Sequence, residues 1–294
     1  MGKVVLKILI SIIQLTAILG GLELVARTAP NSYAYKDRFI LDNGDSVNML
    51  ILGNSHSFYG INPDYLGDNS FNLANVSQDL KFDLFLLNRY IDKCPNLNTV
   101  IIPICYFTLH NAPLDCGEER FRVKFYERYM GYDDTLLNSF EKLEICSVNT
   151  FIKKVVVCFA SLCGRDVDYG FDSNGCATDY DVVKSVDIDN THADEYVNEN
   201  VGYLRQIAKL CKQRNVKLFF VTTPTLPSYY NRLDDEKWNS MTSIINDICL
   251  EYDASYLSYL SDERFDETDF FDDEHLSPNG AEKFSKILFH EILR

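Results

Sequence analysis

Apolar and polar positions along this chain fall into short continuous runs separated by stretches of helical period. Val47–Leu52 is almost unbroken in apolar residues, as expected of a parallel strand covered on both faces. Asn98–Ile104 and Val216–Thr223 repeat the pattern, and Ser70–Ala74 and Ala254–Leu260 are weaker versions of it. Between them, Asp79–Ile91 places Leu80, Leu84, Leu87 and Ile91 on one helical face. Glu195–Arg214 and Asp234–Tyr252 do the same with Val201, Leu204, Ile207 and with Trp238, Met241, Ile245. A last helix is expected from Ser277-Pro278, a good N-cap followed by proline at the first helical position. Strands alternating with helices predict an α/β fold with a five-stranded parallel sheet and helices on both faces.

Two segments depart from that rhythm. Ile8–Ala26 is apolar apart from Gln14 and Glu23, and as a helix would extend about 28 Å, close to the hydrocarbon thickness of a bilayer. Lys3 and Lys7 precede it, which predicts a single-pass anchor over residues 1–27 with its N-terminus in the cytoplasm and the remaining chain outside. A cleaved signal peptide is the competing reading, but Leu24-Val25-Ala26 meets the small-residue rule poorly. Residues 28–46 read as a tether and lead-in loop, and residues 47–294 as the main domain. The second departure is the interval from Cys105 to Asn215, far longer than a crossover needs. It predicts an insertion over about residues 105–200, forming a cap or lid at one end of the sheet. Phe151–Cys163 within it reads as a buried helix and the Asp-rich 165–190 as loop.

Charge and cysteine content narrow the function. The 294 residues carry a formal net charge of -15, and no cluster of Lys and Arg interrupts it, which excludes nucleic acid as a partner. Nine cysteines without a C-x-x-C pair write no zinc ribbon and no thioredoxin-like motif. No metal or cofactor is expected.

In an open parallel sheet, ligands bind beyond the C-terminal ends of the strands. There the first strand delivers Gly53-Asn54-Ser55-His56-Ser57, the second Ala74-Asn75-Val76-Ser77-Gln78, and the last is followed by Asp272-Asp273-Glu274-His275. A serine nucleophile needs a base, and the base an orienting acid. Of the five histidines, His56 abuts Ser55 and is expected to direct its ring elsewhere. His110 and His192 fall in the insertion and His290 in the last helix. His275 lies three residues after Asp272, so one turn of loop can present carboxylate and imidazole together. The same acidic run also reads as an ordinary helix approach favoured by the dipole.

G-[DN]-S-x-S after the first strand, together with D-x-x-H before the final helix, resembles the SGNH/GDSL hydrolase superfamily. The resemblance covers roughly residues 47–294 and is specific in its end motifs. It implies a flavodoxin-like three-layer α/β/α sandwich and a triad of Ser55, Asp272 and His275. It also implies an oxyanion hole that includes the backbone N–H groups of Ser55 and Ser77. Asn54 stands where the family has aspartate, Ala74 and Ser77 where it has glycines, and no G-x-N-D follows the third strand, leaving Asn111 or Tyr106 as substitutes. With an N-terminal membrane helix, this pattern is similar to envelope proteins of the D-alanyl-lipoteichoic acid and alginate O-acetylation type. The resemblance therefore implies an extracytoplasmic esterase or O-acyltransferase acting on an acylated cell-envelope glycan, with a membrane-bound acyltransferase as a partner. The alternative is a catalytically degenerate module of the same fold that binds glycan or partner proteins.

Overall fold

The computed structural model describes residues 2–67, 69–132, 137–165, 170–178 and 194–293. In chain order the helices are α1 (Gly2–Thr28), α2 (Ser32–Asn43), α3 (Ser55–Gly60), α4 (Leu80–Tyr90), α5 (Val123–Met130), α6 (Val148–Leu162), α7 (Val197–Gln213), α8 (Pro227–Tyr230), α9 (Asp235–Tyr252) and α10 (Pro278–Ile292). The strands are β1 (Met49–Ile51), β2 (Ser70–Asn72), β3 (Thr99–Pro103), β4 (Lys217–Thr222) and β5 (Ser255–Ser258). All pairings are parallel, in the order β2-β1-β3-β4-β5. This is the doubly wound flavodoxin-like order, whose strand sequence reverses beside β1.

The near-continuous apolar strands split their side chains between two cores. Leu50, Val100, Ile102 and Phe220 face the larger one, which α4, α7 and α9 complete with Leu86, Leu87, Leu204, Ile207, Ile245 and Ile248. Met49, Ile51, Ile101, Phe219 and Val221 face the smaller one, filled by Phe284, Leu288 and Ile292 of α10. Period-2 alternation is thus apolar on both sides, which is why the strands show no polar face.

Three segments differ from the sequence expectation. Residues 28–46 are not a loose tether: Asn31 caps α2 by accepting from Ala34 N–H, and α2 packs on α5 with Tyr33 against Phe125 and Tyr126. Its apolar period is broken by Lys36, which is fully buried. The ammonium group donates to the Ala74 carbonyl and lies 4.4 Å from the Phe58 ring centre. The insertion is only partly a cover. Val123, Phe125, Tyr126 and Met130 of α5 belong to the larger core. Residues 170–178 do lie over the β2 edge and α3: Asn72 N–H donates to Asn174 O and Ala177 N–H to Phe58 O. The rest of the Asp-rich stretch expected as loop, 166–169 and 179–190, and His192 lie outside the described residues. Finally, α6 is not a buried helix: Phe151 and Lys154 are its only buried side chains, and much of its apolar surface is exposed.

Burial pushes the Lys36 amine down to about 7, against the opposing pull of Cys176 and Asp172. With a folded pKa below the unfolded value, the unfolded chain binds more protons between the two, so stability must rise with pH through that window. Unfolding midpoints in urea are therefore expected to climb from about pH 7 toward pH 9.5, and Lys36→Met should flatten the climb. An unchanged slope in the variant would assign it to other groups.

Candidate active site

The strand β1 ends in a turn that only glycine can make. Gly53 has φ +106°, and a Cβ there would meet Pro103 Cδ at 2.1 Å. Its N–H donates to Asp83 Oδ1 at 2.8 Å, and the same carboxylate accepts from Gln78 Nε2 at 2.7 Å, with Tyr126 bound to Gln78 behind it. Burial pushes the Asp83 carboxyl up to about 7, and Asp79 adds to the rise. Asn54 then caps α3 by accepting from His56 N–H at 3.1 Å, while its amide nitrogen donates to Cys105 Sγ at 3.5 Å. An aspartate could cap in the same way, but only the amide can donate an N–H to the sulfur. Ser55 is thereby the first residue of α3, where backbone N–H groups have no intrahelical acceptor.

The loop ahead of α10 supplies the facing groups. Phe270 pairs with Leu276 across it, Phe271 N–H donates to His275 O, and Ser277 caps α10 with Pro278 next in line. Asp272 Oδ1 accepts from the N–H groups of Glu274 at 2.9 Å and His275 at 2.7 Å, folding the loop into an Asx turn. Its carboxylate also meets His275 Nδ1 at 2.9 Å. On the other side of the ring, Nε2 lies 2.8 Å from Ser55 Oγ. Burial opposes the Asp272 charge, but the His275 ring and the two backbone donors outweigh it, leaving the carboxyl below its ordinary value.

The structure thus brings together the side chains of Ser55, His275 and Asp272, and it places His275 almost wholly out of solvent while Ser55 is half-buried. Nδ1–H donated to the carboxylate leaves the Nε2 lone pair toward the serine hydroxyl, the arrangement in which an imidazole can take that proton. Ser77 lies in the turn after β2 with φ +60°, a left-handed conformation that favours glycine. Of the two substitutes for a donor after β3, Asn111 is exposed and Tyr106 hydroxyl accepts from Asp234 N–H at 3.3 Å, at the start of α9.

Several neighbours were not legible in the sequence. The His56 ring does not turn away from the site: it lies 5.0 Å from the His275 ring, centre to centre. Its Nδ1 faces Asn54 Oδ1 at 3.2 Å and its Nε2 faces Glu274 Oε2 at 3.6 Å. Glu274 is buried, and together with burial its charge drives the Tyr229 hydroxyl pKa far upward. Tyr59 meets His275 edge-on at 5.9 Å. Glu274 reads in sequence as one more acid of a solvated run, and nothing local marks it as the one turned inward. Among the described residues, no group of three or more His, Cys, Asp or Glu side chains is placed to hold a metal ion.

A family model matches residues 185–294, a little over a third of the chain. No curated protein matches it. Among solved structures, similarity is found to a candidate platelet activating factor from Streptococcus pneumonia at 12% identity and TM-score 0.47. That match covers 97% of this chain and 99% of that one. A candidate acylhydrolase from Bacteroides fragilis is similar at 11% identity and TM-score 0.44, over 89% and 96% of the two chains. A GDSL-like lipase from Bacteroides thetaiotaomicron follows at 11% identity and TM-score 0.40, over 89% and 100%. At such scores these likenesses carry no argument about chemistry, which rests on the side chains described above.

Proposed function

We propose that the chain is a membrane-anchored serine esterase or O-acyltransferase that acts outside the cytoplasm on an acylated cell-envelope glycan. The observation that carries this reading is the relay from Ser55 Oγ to His275 Nε2 at 2.8 Å, backed by Asp272 on Nδ1. His275 takes the Ser55 proton as Oγ attacks the ester carbonyl. The carbonyl oxygen becomes an oxyanion facing the backbone N–H groups of Ser55 and Ser77. Its collapse breaks the bond to the leaving alcohol, which receives the proton from His275 and departs, leaving the acyl group on Ser55. Water, or a sugar hydroxyl, then attacks this ester with His275 again taking the proton, and collapse of the second oxyanion breaks the acyl–Oγ bond as His275 returns that proton to Ser55. The first acceptor makes an esterase and the second a transferase.

The glycan and the anchor rest on the two end motifs and on α1. That helix is long and apolar enough to cross a membrane, with a mean hydropathy of 2.1 over its most apolar window and none of that window buried. Lys3 and Lys7, in its first two turns ahead of the apolar run, favour an N-terminus inside and the domain outside.

A fluorophosphonate probe reacts with a serine that a neighbouring base has activated. Wild-type protein should be labelled and Ser55→Ala should not. A folded wild type that resists the probe, or equal labelling of the variant, would overturn the reading and leave a module that binds glycan or protein.

A further inference from the structure

Helix α6 carries its apolar surface on the outside. Val148, Ile152, Val156, Phe159 and Leu162 are 52% to 80% exposed. At spacings of four, four, three and three residues they form one stripe, on the order of 100° wide. Beyond one edge of the stripe, Phe151 is seated in the domain and Lys154 on Glu144, 3.0 Å from its carboxylate. A stripe of this kind facing water is uncommon on a soluble surface and marks an interaction site.

What covers it is indicated by its neighbour. α6 packs against α1 where that helix joins the domain: Cys158 Sγ lies 3.5 Å from Val25 O, and Thr150, Lys153 and Val157 line a cavity shared with Ala29–Tyr33. α1 is solvent-exposed from Gly2 to Gly21 and first touches the domain near Leu22 and Glu23. Glu23 is held there, accepting the N–H groups of Glu144 and Ile145 at 2.9 and 3.0 Å, immediately ahead of α6. The stripe therefore sits beside the point where the apolar helix leaves the domain. The 15 residues of α6 extend about 22 Å, too short to cross a bilayer but suited to lying in its surface.

We propose that α6 is a second membrane element, an in-plane helix whose Val148–Leu162 stripe is buried in the same lipid surface that α1 crosses. It would fix the tilt of the domain, where a single span would let it swing. This rests on α1 spanning the membrane, and the test separates the two.

The chain has one tryptophan, Trp238, which sets a background. Full-length Phe159→Trp, and independently Val156→Trp, would be reconstituted in phosphatidylcholine vesicles with and without bromine on the acyl chains. Leu9→Trp in α1 serves as the spanning control and Leu250→Trp, 85% exposed on α9, as the aqueous one. The added emission at positions 159 and 156 should be quenched by brominated lipid as at position 9, and that at position 250 should not. Quenching at 9 but at neither α6 position overturns this inference and leaves the anchor intact. No quenching at 9 removes the anchor, and the inference with it.

Discussion

Ser55→Ala should lower kcat for ester cleavage by roughly 10⁴–10⁶, with KM little changed. The substitution removes one oxygen and leaves α3, its Asn54 cap and the Gly53 turn in place, so binding should survive while chemistry fails. His275→Ala should cost about as much alone, and the double variant little more, because groups acting as one unit are not additive. Asp272→Asn is a finer probe. Its side chain can still accept one backbone N–H, but it no longer holds Nδ1–H by charge, and a loss of about 10⁴ is expected from the wrong tautomer. Turnover of a nitrophenyl ester by the purified full chain checks all three. A Ser55→Ala protein within tenfold of wild type would remove the relay from the reaction.

The second large effect concerns stability and lies far from that relay. Glu144 is fully buried, with Lys154 at 3.0 Å, Lys124 at 3.6 Å and Arg128 in direct contact. Lys124 also donates to Ser147 Oγ at 2.8 Å and is itself 1% exposed. Burial pushes the Lys124 and Lys154 amines down, and the Glu144 charge pulls both back up. Glu144→Ala leaves three cations around an empty place, two of them desolvated, and should cost about 3–5 kcal/mol. For a chain of this size that corresponds to a fall in Tm on the order of 10 °C. Glu141→Ala, which removes a half-exposed partner of Arg120, should cost only a small fraction of that. A Glu144→Ala protein that melts within about 1 kcal/mol of wild type would mean that water reaches the cluster.

Most of the architecture is legible in the sequence because a parallel strand buried on both faces has few alternatives. Val47–Leu52 and Val216–Thr223 could scarcely be anything else. The misreadings have a common cause. A sequence pattern records that a side chain is apolar, not what it faces. Phe151–Cys163 has the composition of a core helix, and only the fold reveals that its apolar side is turned outward. α2 was hidden by the converse: Lys36 breaks the stripe formed by Tyr33 and Ile40, and a buried amine is legible only once the Ala74 carbonyl is seen to receive it. At the site, the short spacing of Asp272 and His275 marks them as a candidate pair, whereas Ser55 is singled out from Ser57 only by the resemblance of the two end motifs. Their approach in space, and the contacts of His56 with Glu274 and of Gly53 with Asp83, depend on which segments the sheet order places side by side.

The serine and its base are 220 positions apart in the chain. No partial product of synthesis that stops short of position 275 can hold both. A chain cut anywhere between them keeps the hydroxyl and loses the imidazole, so whatever depends on the pair should be absent from every such fragment.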